Sequence, residues 1–140
     1  MANSKYGQVS AMTASGQLNW SRDHVIACLY TGATFNTAQT RLSEVAGSQV
    51  AVSEIGGRYV GTGGEAVGMP ATFPRVAANT DYQVIVVVDQ GGGYSPGLIA
   101  YYDVDSAGGT LRSVSNGDLI LRPVTYVDGN PENIGTWFVF

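Results

Sequence analysis

At 140 residues, with 19 glycines, 13% charged residues and a formal net charge of −4, the chain suits one domain of short strands and tight turns and argues against a helical bundle. A chain of this length can bury roughly 68% of the surface that its unfolded form exposes, so a core needs no second domain. The single lysine, Lys5, leaves no basic stripe for phosphates, which argues against nucleic acid; no run approaches about 18 apolar residues and no charged head at the start is followed by an apolar core, so neither membrane insertion nor secretion is expected.

Residues 1–21 are small and polar apart from Lys5, Tyr6, Leu18 and Trp20, and read as an N-terminal arm with at most one short edge strand, its order depending on a partner. The remainder, 22–140, is expected to form a single β-sandwich domain. His24 to Tyr30 is the first clear strand. Val25, Ala27 and Leu29 face one way and His24, Ile26, Cys28 and Tyr30 the other, and both faces are mostly apolar, so this strand belongs in the middle of a covered sheet. The lone cysteine, Cys28, lies inside it, which rules out an intramolecular disulfide, predicts a buried thiol and suits synthesis in a reducing cytoplasm.

Asn36 is a good N-cap, Gln39 follows at capping-box spacing, Ala38, Leu42 and Val45 recur at helical spacing and Gly47 supplies a stop. The pattern predicts one short helix over 37–46, the only one in the chain. Gln49 to Glu54 alternates weakly as a strand, and glycines break the next region around Arg58 to Val60. Ala71 to Val76 reads as an edge strand because Pro74 cannot donate to a ladder. Tyr82 to Asp89 and Leu98 to Asp103, joined by a Gly- and Pro-rich turn, read as adjacent antiparallel strands. Thr110 to Ser113 leads through the tight-turn pair Asn116-Gly117 into a strand over 118–126, and Thr136 to Phe140 closes the chain with large apolar side chains on both faces. About eight strands with closely spaced turns predict an all-β, jelly-roll-like antiparallel sandwich, with a barrel as the competitor.

Chemistry-bearing residues are sparse. His24 follows Asp23, but neighbours on a strand point to opposite faces, and no Gly-x-Ser-x-Gly elbow accompanies the serines. His24 and Cys28 stand about 13 Å apart along an extended strand, too far for one zinc ion. Asp103 to Gly108 begins like a calcium loop, yet Val114 stands where a bidentate glutamate belongs. The glycine runs 61–64 and 91–93 lack the Lys-Ser/Thr pair and following helix of a phosphate loop. No catalytic, cofactor-binding or metal-binding residue is therefore assigned, and a non-enzymatic role is expected.

The order of segments carries a resemblance. The strand His24 to Tyr30, Thr34-Phe35-Asn36 opening a short helix with Leu42 to Val45, Glu54 followed by Gly56-Gly57-Arg58-Tyr59, and the Val-rich strand with Leu98 to Tyr102 after a glycine turn together resemble small structural proteins of tailed bacteriophages. Within that group, size and strand content are most similar to the jelly-roll capsid cement or decoration proteins. The resemblance covers about residues 24–126 and implies a protein on the exterior of the virion capsid. It would be made in the host cytoplasm and bind the major capsid protein as a homodimer, without nucleic acid, membrane or cofactor. The arm and the aromatic end depart from that pattern and supply the expected protein interface: Lys5, Tyr6, Trp20, Trp137, Phe138 and Phe140. The rival expectation is a carbohydrate- or receptor-binding module of a phage tail or fibre, since the same fold carries lectins and exposed rings stack on sugars.

Overall fold

The β-branched runs form the centre of the molecule in the computed structural model, which describes residues 4–104, 109–112, 117–122, 125–126 and 134–140. In chain order the elements are β1 (Ser4–Lys5), α1 (Val9–Ala14), β2 (His24–Thr31), a 3-10 turn (Leu42–Glu44), β3 (Ser48–Glu54), β4 (Tyr59–Val60), β5 (Glu65–Gly68), β6 (Ala71–Phe73), β7 (Gln83–Asp89), β8 (Gly97–Tyr102), β9 (Leu119–Leu121), β10 (Thr125–Tyr126) and β11 (Gly135–Val139). All pairings are antiparallel: a five-stranded sheet β1-β8-β7-β2-β3, a four-stranded sheet β10-β11-β5-β4 and a two-stranded sheet β6-β9. The protein is an all-β antiparallel sandwich, as its alternating apolar runs predict. Among the described residues no helix is long and apolar enough to cross a membrane.

β2 and β7 pair over their whole length, from His24 opposite Asp89 to Tyr30 opposite Gln83. Val25, Ala27 and Leu29 are buried on one face and Cys28, Ile85 and Val87 on the other, so this sheet is covered on both sides near its middle. Each such valine, leucine or isoleucine contributes about 1.5–3 kcal/mol of transfer free energy. The adjacent residues Tyr101 and Tyr102 of β8 point to opposite faces and bind the two covers. Tyr102 meets Trp137 of β11 edge-on at 5.5 Å and donates to the Trp137 carbonyl at 2.7 Å, joining the two larger sheets. Tyr101 packs on Phe35, whose ring meets Tyr6, and donates to the Ala33 carbonyl.

The helix expected over 37–46 is not formed; that stretch holds just the 3-10 turn, and among the described residues the α-helix is α1, inside the segment expected to be an arm. Asn36 does cap locally, its Oδ1 accepting from the Ala38 N–H at 3.0 Å. Further on, Arg41 is extended (φ −125°, ψ 148°), and the backbone polar groups are used across the chain rather than along it. Leu42 N–H donates to Pro96 O and Leu98 N–H to Thr40 O, fastening this strip to the start of β8. Gly47 acts as a close-approach residue, not a helix stop: it sits at φ +100°, and a Cβ there would lie 2.4 Å from the Thr31 carbonyl oxygen.

The arm reading is corrected as well. Residues 4–20 are built into the domain, with β1 paired to β8 and Tyr6, Val9, Met12, Leu18 and Trp20 all in the core cluster. The strand expected over 118–126 divides between two sheets, β9 pairing with β6 and β10 with β11. The Asn116-Gly117 hairpin cannot be followed as such because residues 113–116 lie outside the described residues. The 71–76 strand ends at Phe73, just before Pro74, and pairs on one side with β9.

Candidate functional site

Three of the six residues expected to form an interface are core residues. Tyr6 is 2% exposed, stacked at 5.0 Å on Phe35, and its phenol is pushed up to about 12 first by burial and then by Tyr101 and Tyr30. Trp20 is 1% exposed and donates its indole N–H to Val67 O at 2.8 Å. Trp137 is 2% exposed and donates to Met69 O at 3.2 Å. The area of all three rings and the indole N–H of both tryptophans are used inside the domain, while the Tyr6 hydroxyl is buried without a hydrogen-bond partner. Phe138 and Phe140 are half-buried and meet edge-on at 5.0 Å, with Phe138 also edge-on to Trp20. Lys5 is half-buried in β1, opposite Ala100 of β8. Trp20 and Phe138 thus join the N-terminal segment to the last strand inside the core, whereas Lys5 lies apart on β1.

The apolar side chains that do reach solvent were missed by reading for large aromatic residues. Val50 and Val52 lie on β3, the edge of the five-stranded sheet, and Tyr59 and Val60 lie on β4, the edge of the four-stranded sheet. Met69, Val139 and Tyr94 complete the set, Tyr94 being the most exposed at 73%. The weak alternation of Gln49 to Glu54 was the available signal for β3, because a strand with apolar residues at 50 and 52 and little else to bury belongs at an edge.

His24 opens β2, Asp23 lies in the bend just before it, and the two are engaged with different partners. The His24 Nε2 lies 2.8 Å from Glu54 Oε1 and its Nδ1 3.8 Å from Asp89 Oδ2, while Asp23 accepts from the Asn19 N–H. These three cross-strand neighbours are solvent-accessible, which makes them a screened surface group of modest energetic weight. Among the described residues no group of three or more His, Cys, Asp or Glu side chains is arranged to hold a metal ion. Cys28 is fully buried, and burial pushes its thiol up to about 11. In the native state at pH 8 it is therefore expected to be inert to a thiol reagent and to react only as fast as the domain opens. Rapid stoichiometric labelling of folded protein would contradict this placement.

A cavity of about 410 Å³ opens beside the start of β7, lined by Asp81, Gln83, Tyr101 and Asp103 among others. Three of its polar groups are engaged: Asp81 pairs with Arg112, Gln83 accepts from the Ala33 N–H and Tyr101 donates to Ala33 O. The arrangement braces the 31–34 turn.

A second brace sits under the β7–β8 connection. Glu44 accepts from the Thr40 N–H, the Arg41 N–H and the Thr40 hydroxyl, and in that order these bonds hold its carboxyl below the usual value of 4.5. Because the folded-state value is depressed, the stabilisation is present above pH 4.5 and is lost as pH falls through the folded value. Glu44→Gln is expected to flatten the acid limb of stability against pH, measured by urea unfolding from pH 6 to pH 3. An unchanged limb would remove Glu44 from that role.

Comparisons with protein-family models, curated proteins and solved structures find no match to this chain.

Proposed function

We propose that this protein is a non-enzymatic capsid cement or decoration protein of a tailed bacteriophage. In this reading it is made in the host cytoplasm, binds the outside of the icosahedral shell as a homodimer and stabilises contacts between major capsid subunits. The observation that carries the reading is the distribution of exposed apolar side chains. Val50 and Val52 on β3, and Tyr59 and Val60 on β4, lie on sheet edges, where apolar surface and unpaired backbone groups favour contact with another chain. The segment order over about residues 24–126, with a 3-10 turn in place of its short helix, resembles small structural proteins of tailed phages, and size and strand content within that group support the same reading. The mechanism is linkage: a protein that binds the assembled lattice and not its free subunits raises the stability of the shell, and repetition over many sites multiplies a modest affinity.

A carbohydrate- or receptor-binding module of a tail or fibre is the second reading, favoured by the exposed rings of Tyr59 and Tyr94. Quantitative peptide mass spectrometry of gradient-purified particles decides between them. A ratio near one copy per major capsid subunit is expected for cement. A ratio near that of the tail proteins, or absence from the particle, overturns the cement reading.

A further inference from the structure

Among the described residues the sheet edges are short with one exception. β1, β4 and β10 have two residues each, and β6 and β9 three. The exception is β3, an edge strand of seven residues whose ladder partner is β2. The phase of that ladder fixes which backbone groups face outward. The Ile55 N–H donates to the Val25 carbonyl at 3.4 Å, and Glu54, Ser53, Val52 and Ala51 follow opposite Ile26, Ala27, Cys28 and Leu29. Opposed antiparallel residues alternate between bonded and unbonded pairs, so Ser53 and Ala51 bond to β2 while Glu54 and Val52 turn their N–H and C=O away from it. Among the described residues no hydrogen bond reaches Val52 from that outer side. β6 meets β3 through the Ser53 hydroxyl, which accepts from the Thr72 N–H at 3.3 Å on the face opposite Val52.

Natural edges are guarded by charge, proline or a bulge. Residues 48–53 carry no charge and no proline, and the valines at 50 and 52 are 48% and 52% exposed. The ladder does slip at Val50, but the run from Ala51 to Glu54 is regular, with Val52 at its outward centre. An occupant must therefore be an extended strand that offers a backbone donor and acceptor opposite Val52, an apolar side chain on the same face and no carboxylate beside Glu54. β3 itself meets each requirement. We propose that a second copy of this chain adds its β3 antiparallel to this one, about a two-fold axis through the Val52 pair, and joins the two five-stranded sheets edge to edge. The two Val52 residues exchange both backbone hydrogen bonds and pack their side chains together, Ala51 faces Ser53 of the other copy, and Glu54 faces Val50. The two Glu54 carboxylates lie at opposite ends of the pairing, about 13 Å apart along the strands and beyond a Debye length of roughly 10 Å. Such a contact is isologous and consumes both long edges, so it closes at a dimer. The inference deepens the homodimer of the cement reading by naming its surface, and it concerns the free protein, with no capsid present.

The test is sedimentation velocity on a dilution series of the full-length chain beside its Val52→Pro and Val52→Lys variants. Val52→Pro removes an N–H that the single chain leaves unbonded, at an edge position where proline is tolerated, and Val52→Lys sets two cations opposite each other across the axis. The wild type is expected to be dimeric at about 100 μM, and each variant to raise the dissociation constant about 30-fold or more, the scale of two lost backbone hydrogen bonds. Both variants are expected to keep the wild-type circular dichroism spectrum; where Val52→Pro does not, Val52→Lys alone decides. A wild-type chain that is monomeric at that concentration overturns the inference, as does a dimer that Val52→Lys leaves intact, because its interface then lies elsewhere. Either failure leaves attachment to the capsid standing, which the copy number in the particle decides on its own.

Discussion

Trp20→Ala is expected to lower the unfolding free energy by about 3–5 kcal/mol, among the largest effects any single residue of this chain can produce. The ring is 1% exposed, lies edge-on to Phe138 at 5.3 Å and satisfies the Val67 carbonyl through its indole N–H. Substitution by alanine opens a cavity and strips that carbonyl of its donor together. Trp20→Phe keeps most of the volume and loses the hydrogen bond, so a smaller loss of about 1–2 kcal/mol is expected. Deletion of residues 1–20 goes further. It takes β1 off β8, uncovers Phe35 and Tyr101, and removes Tyr6, Val9, Met12, Leu18 and Trp20 from the core. The truncated chain is expected to lose its cooperative thermal transition in calorimetry. A truncated chain that melts where the full-length protein does would show that this segment is an accessory arm after all.

Arg58→Met is expected to destabilise by about 3 kcal/mol or more, because it leaves three backbone carbonyls without donors at about 1–3 kcal/mol each. The guanidinium donates through Nε to Trp20 O at 2.7 Å, through Nη1 to Ile55 O and through Nη2 to Asp23 O. It therefore staples the N-terminal segment to the turn after β3. Burial lowers its pKa, opposed by the nearby charges of Glu54 and Asp23, and it remains a cation throughout the accessible pH range. Arg58→Lys keeps the charge without the planar fork and is expected to recover only part of the loss. Urea unfolding of the two variants beside Trp20→Ala measures this directly. Wild-type stability in Arg58→Met would mean that water serves those carbonyls equally well.

Both effects converge on the N-terminal segment, and that has a functional consequence. Variants at Tyr6, Trp20 or Trp137 would weaken attachment to any partner by unfolding the domain, so attachment assays on them report stability. Positions on β3, β4 and the β7–β8 connection are exposed, and substitutions there can separate binding from folding.

The strands at the centre were legible because their signal is local. In β2, β7 and β8, β-branched and aromatic residues fill both parities, a pattern that is stable only inside a covered sheet, and the structure buries both faces. The Gly- and Pro-rich turn between β7 and β8 marked their antiparallel pairing equally well. Asn36, Gln39 and Gly47 were read as the signals of a helix that does not form, because each fits more than one backbone. A capping asparagine serves an isolated turn as well as a helix, and a glycine serves a close approach as well as a stop.

What decided those cases was contact between segments far apart in sequence. Thr40 to Leu42 could have continued a helix, but a free strip at the start of β8 offered the same hydrogen bonds along with burial, so the strip paired there. Residues 4–20 carry too few large side chains to show periodicity, and Tyr6 and Trp20 read equally well as an arm's anchors or as plugs for a core. The uncovered ring of Tyr101, the open edge of β8 and the Val67 carbonyl exist only once the sheets have assembled, and they draw those residues inward. Composition and alternation thus determined an antiparallel sandwich with its central strands in place. Tertiary structure alone chose what covers it, because burial energy depends on a complementary surface that no local stretch of sequence contains.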